Sequence, residues 1–443
     1  MRNNVTLADL DRYFEGCNVL GKRDPIIENH ETRVLTVLLW GLMGKSVCLR
    51  GESGSAKTKI LNAVASLIYG DTGLNGTNPD LLWLNSSSAK GQLTPENASW
   101  MAKSYRCAIP ELQNILTSQN LEAMLKLWME ERPYIYSRNE LGRKTIKITL
   151  PPKPVLTNLA DGNEQMSDLP VEMRRRIISL PTYSSKDLND RVHHQKAMNR
   201  ILPDEQLTHL TRMELSNLRN RILEAAGIEK RVINPGADII RSVIPTNYTA
   251  SNTFIEYFFD VIEAITRFYH QDRISNDKYL IANPEDNYLA FLLAGEIFRD
   301  MSIGITPIGK YIIDFVPRAE VWGDLVSEKE SDAVHVDEIL DYLSDIGIIR
   351  TKKLINETLQ KLVDTNFIRK IAKADKYYKT HDFDFSRSVD WKKLIQTCVE
   401  NVETNYPDIA STYKSQDLHL YKHPFTGKED AMPTTIQVYG GTV

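Results

Sequence analysis

Gly-Glu-Ser-Gly-Ser-Ala-Lys-Thr, at residues 51–58, is the most informative motif of this chain. It fits the pattern G-x-x-x-x-G-K-[ST], except that Ala56 occupies the position of the last glycine. Such a loop directs backbone N–H groups at phosphate oxygens from the N-terminus of a helix. Lys57 is then expected to reach the β and γ phosphates, and the Thr58 hydroxyl to bind Mg²⁺. The residues predicted to bind the nucleotide are Gly51, Glu52, Ser53, Gly54, Ser55, Ala56, Lys57 and Thr58.

The flanking sequence makes this match specific. A short apolar run at residues 46–49 predicts a buried parallel strand, and residues 60–68 have helical periodicity. Strand, loop and helix in this order are the context that the motif requires. The alternative is a chance Gly/Ser turn in front of a helix. Because Ala56 has a Cβ atom, we expect the loop to keep a negative φ there.

Composition limits the classes of protein that remain. The chain has 443 residues, of which 42% are hydrophobic, a length that suggests about two to four domains. The net charge of −4 gives no overall sign of a nucleic-acid partner. No apolar stretch reaches the roughly 18 residues of a membrane span, and the N-terminus lacks the apolar core of a signal peptide. The cysteines lack the spacing of a zinc site or a disulfide framework, so a cytoplasmic protein is expected, nucleoid-associated if it binds DNA.

The first part of the chain predicts an α/β fold. Apolar runs alternate with helical patterns, which favours a largely parallel sheet. The candidate strands are residues 46–49, 81–84, 105–109, 154–157 and 177–180, the last ended by Pro181. We therefore predict a nucleotide-binding α/β domain with a five-stranded parallel sheet at residues 1–185.

The remainder divides into four further segments. Residues 186–305 show helical patterns at 207–226, 254–269 and 287–301 and predict an all-helical lid. Residues 306–332 are rich in Pro and Gly and predict a linker. A C-terminal winged-helix domain is predicted at residues 333–385, with helices at 336–346 and 351–364 and a hairpin pairing 367–371 with 376–379. Residues 386–443 are expected to be an extension with helical patches and an irregular tail.

Two polar residues at predicted strand ends are candidates for ATP hydrolysis, which needs a carboxylate to orient water and a sensor of the γ phosphate. Glu111 ends the third strand, and the alternative is that it merely caps a helix. Pro110 occupies the place of the usual Mg²⁺-orienting Asp, so activity is expected to be slow rather than absent. Asn158 follows the fourth strand and could bond the γ phosphate or the water; the alternative is a turn-forming Asn.

Basic residues supply the remaining candidates. One of Arg174, Arg175 and Arg176 is a candidate arginine finger for a neighbouring subunit, unless the run is simply solvated or contacts nucleic acid. A basic β-hairpin is predicted around residues 134–149, and residues 350–379 contain nine Lys/Arg against three Asp/Glu. Both features favour DNA phosphates as partners, although structural hairpins and winged helices that bind proteins remain alternatives. The DNA-binding candidates are Arg138, Arg143, Lys144, Lys352 and Lys353.

Taken together, these residues resemble the AAA+ ATPases over about residues 18–305. The hairpin before Asn158 looks like the clade of MCM helicases, MoxR-type chaperones and magnesium chelatase. Ala56-Lys57-Thr58 is similar to the Ala-Lys-Ser form of MCM and some MoxR proteins, and a lid followed by a winged helix looks most like MCM. The resemblance implies ATP and Mg²⁺ as cofactors, hexameric rings with ATP between subunits, and a central pore that engages DNA.

Three functions follow from this reading. The first is an ATP-dependent, DNA-engaging motor, an MCM-like helicase or translocase. The second is a MoxR- or McrB-like remodeller whose winged helix docks a protein partner. The third is a degenerate nucleotide-binding scaffold that binds ATP without hydrolysing it. The basic hairpin and the basic winged helix motivate the first.

Overall fold

A computed structural model gives the fold of the chain. It describes residues 5–19, 22–23, 26–51, 54–70, 78–84, 95–116, 118–138, 145–160, 173, 176–183, 186–201, 210–243, 251–303, 307–317, 321–322, 325–326, 333–346, 348, 351–364, 367–371, 374–379 and 388–437. The loop at residues 51–58 is therefore described except for Glu52 and Ser53.

A parallel β-sheet forms the centre of the first half of the chain. The longer strands up to Thr182 are, in chain order, β1 (Val47–Gly51), β2 (Leu81–Trp83), β3 (Arg106–Ile109), β4 (Tyr134–Arg138), β5 (Ile146–Leu150), β6 (Val155–Ala160) and β7 (Ile178–Thr182). Five of them form a parallel sheet in the order β2-β3-β6-β1-β7. These strands are apolar and mostly buried, as strands covered on both faces are. The predicted α/β fold with a five-stranded parallel sheet is confirmed.

Strand β7 differs from the prediction at its end. It continues through Pro181, which lies opposite Arg50 in the register with β1, and ends at Thr182. The expectation that Pro181 ends the strand is wrong because β7 is an edge strand. Proline lacks the N–H group that a central strand needs, but it is tolerated at a sheet edge.

The predicted hairpin is present as an antiparallel pair of strands. Strands β4 and β5 pair from Tyr134 opposite Leu150 to Arg138 opposite Ile146. Tyr136 and Leu150 are buried in a core shared with β3 and β6, whereas the side chain of Ile135 is 61% exposed. One face of the hairpin therefore packs on the domain and the other faces solvent.

Helices surround the sheet and continue beyond it. Those described are α1 (Leu7–Glu15), α2 (His30–Thr36), α3 (Lys57–Tyr69), α4 (Pro95–Lys103), α5 (Leu112–Ile115), α6 (Gln119–Met129), α7 (Lys186–Ile201), α8 (Arg212–Ala226), α9 (Ala237–Val243), α10 (Ser251–Phe268), α11 (Pro284–Ile303), α12 (Pro307–Phe315), α13 (Val336–Asp345), α14 (Lys352–Asp364), α15 (Trp391–Asn405) and α16 (Pro407–Lys414). A π-helical turn, Val37–Leu42, extends α2. Short pieces also occur: the strand pairs Asn18–Val19 with Lys22–Arg23 and Val321–Trp322 with Leu325–Val326, and the 3₁₀ turn His270–Asp272.

Helix α3, which follows the loop, is tied at its C-terminus to α8. The guanidinium of Arg219 donates to the carbonyl oxygens of Leu67 at 2.8 Å and Ser66 at 3.0 Å. The last carbonyls of a helix have no hydrogen-bond donor within the helix and carry a partial negative charge. A guanidinium at this end donates hydrogen bonds to them and balances that charge. The helical segment after the sheet is thereby joined to the helix that begins at the loop.

The segment from α7 to α11 is mainly helical and shares its core with α3. Residues such as Ile265 and Leu289 pack in the same buried cluster as Ile60 and Leu61. The predicted all-helical composition is wrong in one respect, because β8 (Arg231–Ile233) and β9 (Tyr279–Ile281) form a parallel pair. Each strand has three residues, too few for a period-2 pattern to stand out in the sequence.

Residues 307–379 have a separate core. Helices α12, α13 and α14 pack on an antiparallel sheet of β10 (Val334–His335), β11 (Ile368–Lys370) and β12 (Lys376–Lys379), in the order β10-β12-β11. The hairpin predicted between the last two strands is confirmed. Helix α12 lies in the range predicted as a linker, and its buried residues Ile308 and Ile312 belong to this core.

The C-terminal segment is structured over residues 388–437. Strands β13 (Ser388–Asp390) and β16 (Thr435–Gln437) pair, as do β14 (Leu420–Lys422) and β15 (Glu429–Ala431). Trp391, Cys398 and Tyr413 are buried in the cluster that includes α10 and α11. The predicted helical patches are present as α15 and α16, whereas the predicted irregular tail is wrong over residues 420–437, where β14, β15 and β16 form strand pairs. None of the helices in the described ranges combines the length and apolar character that crossing a bilayer requires.

Candidate nucleotide site

The loop lies at the carboxyl-end edge of the sheet. It follows β1, which has β6 on one side and β7 on the other. Ligands of open α/β sheets bind at this edge, where the strands end and the following loops converge. The residues that end β3, β6 and β7 are therefore the natural neighbours of the loop.

Lys57 lies inside the loop with its side chain folded back over it. The residue is 8% exposed, and its Nζ donates to the carbonyl oxygen of Gly51 at 2.7 Å and to Ser55 Oγ at 3.2 Å. Lys57 is also the first residue of α3, whose N-cap residue Ala56 makes no side-chain capping bond. A lysine ammonium and the N–H groups of a helix N-terminus thus occur together, a donor set that suits phosphate oxygens.

The loop backbone corrects the expectation for Ala56. Ala56 has φ +63° and ψ 6°, in the left-handed region, and Gly54 has φ +90°. The expected negative φ at Ala56 is wrong because the turn into α3 requires this conformation. A left-handed conformation costs a residue with a Cβ atom about 1–2 kcal/mol. Strain of this kind is common at ligand-binding loops.

Replacing Ala56 with glycine is expected to raise the free energy of unfolding by about 1 kcal/mol, because glycine adopts positive φ without the steric cost. Chemical denaturation of the two proteins measures the difference. Ala63→Gly, in the buried interior of α3, is the matched control and should lower the free energy of unfolding by about 1 kcal/mol. A loss of stability in both variants would contradict the left-handed conformation at Ala56.

Asn158 and Thr58 are brought together. Asn158 lies in β6 opposite Leu49 of β1 and is 4% exposed. Its Nδ2 donates to Thr58 Oγ1 at 3.1 Å, and Thr58 is an exposed residue. The alternative of a turn-forming Asn is wrong, because Asn158 is inside a strand. The predicted sensor and the predicted Mg²⁺ ligand are thus hydrogen-bonded to each other.

Glu111 lies at the same edge, two residues beyond the end of β3. Ile109, the last residue of β3, is opposite Thr157 of β6. Glu111 comes two residues after Ile109 and Asn158 comes one residue after Thr157, so the two residues lie in the same part of adjacent strands. Glu111 occupies the N-cap position of α5, but its side chain makes no capping bond. Instead, Asn114 Nδ2 donates to Glu111 Oε2. The carboxylate is exposed and is held by an amide, which leaves it accessible to water.

Arg176 lies at the opposite edge of the sheet. It precedes β7, whose first residue Ile178 is opposite Val47, the first residue of β1. The five residues of β1 separate that edge from the loop by about 13 Å. Arg176 Nη2 lies 2.5 Å from Glu130 Oε1. Arg176 is therefore placed away from Lys57 of its own chain.

Several predicted site residues are not placed near the loop or are not described. Glu52, Ser53, Arg143, Lys144, Arg174 and Arg175 lie outside the described residues, and only the backbone of Arg138 is described, in β4. In the unit formed by residues 307–379, here called the C-terminal unit, Lys352 Nζ is 2.6 Å from Asp337 Oδ1, and Lys353 is exposed on α14. Part of the basic charge counted from the sequence is thus paired with acidic residues of the same unit.

One group of residues in the described ranges has metal-ligand spacing, but an arginine lies in it. Ligand atoms of Asp11, Glu15 and His30 lie within 4.8 Å of one another. The buried Arg33 donates from Nε to Asp11 Oδ1 at 2.6 Å and lies 3.6 Å from Glu15. Burial alone raises the pKa of Asp11, but hydrogen bonds from His30 and Arg33 outweigh it and lower that pKa below its ordinary value. These carboxylates balance Arg33 and are not evidence for Mg²⁺.

Two residues that contact the candidate site were not predicted from the sequence. Thr182, the last residue of β7, has its Oγ1 2.7 Å from Ser55 Oγ, and Asn114 bonds the carboxylate of Glu111. A polar residue at the end of a parallel strand is a signal that could have found Thr182. No protein-family model and no curated protein matches the chain.

Proposed function

We propose that the chain is an ATP-dependent AAA+ motor that works as a ring oligomer and engages DNA. The observation that carries the proposal is the meeting of Lys57, Thr58 and Asn158 at the carboxyl-end edge of the parallel sheet, next to the N-terminus of α3. This combination of a lysine, a hydroxyl and an amide beside a helix N-terminus is suited to a nucleoside triphosphate.

Each residue has a separate task in hydrolysis. ATP bound with Mg²⁺ supplies the phosphoanhydride bond and the charge that the site must balance. Lys57 supplies positive charge where negative charge develops. Thr58 supplies one oxygen ligand for the ion, and Pro110 supplies none, so hydrolysis is expected to be slow. Glu111 orients water and accepts its proton, with its carboxylate held by Asn114.

The arginines favour an oligomer. Arg176 lies at the sheet edge away from its own loop, a position from which it would serve the site of a neighbouring chain and not its own. An arginine supplied between subunits stabilises the charge of the transition state and makes hydrolysis depend on assembly. A hexameric ring is the expected arrangement for this family, with Arg174 and Arg175 as further candidates for the finger.

The C-terminal unit supports DNA as the partner. Its helices α12–α14 pack on a three-stranded antiparallel sheet, and we propose that this unit is a winged-helix domain. Helix α14 begins with Lys352 and Lys353, and β11 carries Arg369 and Lys370 on exposed positions. Phosphate contacts by such residues give binding that weakens with salt.

The test of the DNA assignment is the ATPase rate with and without single- and double-stranded DNA at low salt. We expect stimulation by DNA, and we expect Lys353→Glu to reduce both stimulation and binding because it reverses a phosphate contact. Lys278→Glu, an exposed lysine beside β9, is the matched control and should leave both unchanged. Absence of DNA binding at low salt, with ATPase intact, would contradict the assignment.

A protein remodeller of the MoxR or McrB type is the second candidate function. Two observations favour it: Lys352 and Lys370 pair with Asp337 and Asp375 at 2.6 Å, and Ile135 is exposed on the hairpin. Paired charges and an exposed apolar side chain suit a protein surface better than a phosphate backbone. ATPase activity that is independent of DNA, together with a stoichiometric protein partner, would support this function.

A further inference from the structure

We propose that Thr182 is a positioning residue for the nucleotide loop, and that its hydroxyl holds Lys57 ready for phosphate through Ser55. The inference rests on the proposed function, because it assigns Thr182 to the same nucleotide site. Thr182 belongs to β7 and is far from the loop in sequence, and nothing in the loop motif indicates it.

A directional chain of hydrogen bonds joins Thr182 to Lys57. The Thr182 hydroxyl donates to the carbonyl oxygen of Arg50 at 3.0 Å, since a carbonyl can only accept. Each hydroxyl has one proton, so in the 2.7 Å contact between them Ser55 must donate to Thr182. Ser55 Oγ then accepts from Lys57 Nζ at 3.2 Å. The order of donors is thus fixed from Lys57 to Ser55, to Thr182 and to the β1 backbone.

Thr182 is itself held in place from two sides. Towards β1 it lies opposite Gly51, where an added Cβ would come within 2.2 Å of the Thr182 carbonyl oxygen and 2.3 Å of its Oγ1. Only glycine permits this close approach. On the outer side, Asn29 Oδ1 accepts from the Tyr183 N–H at 2.6 Å, and Thr32 Oγ1 donates to the Pro181 carbonyl at 2.5 Å. The start of α2 thereby fixes the edge strand that carries Thr182.

Holding Lys57 before ATP arrives reduces the entropy lost on binding. A lysine side chain has large rotamer freedom, and a restrained side chain loses less of it when it meets phosphate. This gain in binding free energy is the same for bound ATP and for the transition state. Losing it therefore raises KM and leaves kcat nearly unchanged. Removing the Thr182 hydroxyl removes its bonds to Arg50 and Ser55, and only the bond from Ser55 restrains Lys57. Losing that one restraint is expected to weaken ATP binding by about 5-fold.

The experiment compares Thr182→Val, which keeps the shape and removes the hydroxyl, with Thr182→Ser, which keeps the hydroxyl. Titration with ATP should give a Kd raised about 5-fold for Thr182→Val and near that of the unaltered chain for Thr182→Ser. At saturating ATP, kcat should change less than about 2-fold in both. If Thr182→Val does not fold, Thr182→Ala, which lacks the branched methyl group, replaces it in the same comparison.

The matched control is Thr36→Val. Thr36 is buried, and its hydroxyl donates to the carbonyl of Thr32 at 2.6 Å within α2. ATP affinity should not change there, although stability falls. Unchanged affinity in a folded Thr182 variant, or equal loss in Thr36→Val, overturns the inference. Failure of the proposed function is distinct: in that case the unaltered chain does not bind ATP, or Lys57→Ala binds it equally well.

Discussion

Replacing Lys57 with alanine is expected to weaken ATP binding by about 100-fold or more and to remove detectable hydrolysis. The ammonium of Lys57 is the buried positive charge of the loop, bonded to Gly51 and Ser55. Bonds between a charged donor and phosphate are worth about 1.5–3 kcal/mol each, and losing two of them accounts for the expected factor. The helix N-terminus remains in the variant, so weak residual binding is compatible with this account.

Titration of the unaltered chain and of Lys57→Ala with a fluorescent ATP analogue measures the effect. Lys103→Ala, at the exposed end of α4, is the matched control and should bind nucleotide normally. Both variants should show the same far-UV circular dichroism as the parent. Equal affinity in Lys57→Ala and the parent would show that the nucleotide, if bound at all, does not use this loop.

Glu111→Gln is expected to lower kcat by about 100- to 1000-fold while leaving the Kd for ATP within about 2-fold. Gln keeps the shape of the side chain and can still bond Asn114, but it cannot accept a proton from water. Binding depends on Lys57 and the helix N-terminus and is therefore expected to persist. The difference between binding and hydrolysis separates a hydrolase from a scaffold.

Phosphate release under saturating ATP measures kcat, and titration measures Kd. Glu122→Gln on α6 is the control, since that carboxylate forms only a surface pair with Lys126 at 3.0 Å and such pairs contribute little. Its kcat should equal that of the parent. If the parent binds ATP tightly without hydrolysing it, and Glu111→Gln changes neither property, the protein is a nucleotide-binding scaffold and not an ATP-dependent motor.

Much of the fold was predictable because its signals are local. The strands of the sheet are short apolar runs bounded by turns, and the loop motif fixes the order of β1 and α3. The hairpin β4–β5 alternates in burial, which a sequence pattern records directly. Glu111 was a candidate because a polar residue that follows a buried strand lies at the ligand edge. Asn158 was a candidate on the same ground, but it lies inside β6 and not after it.

The rest depended on contacts between distant parts of the chain. The left-handed conformation of Ala56 is imposed by the whole loop, and no local propensity favours it. Thr182 meets Ser55 because β7 is placed beside β1, a choice of strand order that no local pattern gives. Strands β8 and β9 are too short for periodicity to mark them. The C-terminal segment is ordered by apolar residues such as Trp391 that pack on α11. Because these partners are distant in the sequence, the segment itself has no local pattern that predicts its structure.

The basic charge predicted for residues 350–379 is partly neutralised by contacts that a count along the sequence does not show. A count along the sequence finds nine basic and three acidic residues at 350–379, but it omits helix α13, which lies just before this range and contributes an acidic partner. Asp337 from that helix pairs with Lys352. Surface pairs of this kind are weak and exchange readily for phosphate, so they reduce the basic field without removing it.

Binding of a triphosphate by Lys57 is tested most directly by a crystal or cryo-electron-microscopy structure with Mg²⁺ and a slowly hydrolysed ATP analogue. We predict the β and γ phosphates within hydrogen-bonding distance of Lys57 Nζ, the ion beside Thr58 Oγ1, and an arginine of an adjoining protomer facing the γ phosphate. A structure at saturating nucleotide in which the loop is empty, or in which the nucleotide binds elsewhere on the chain, would contradict this account.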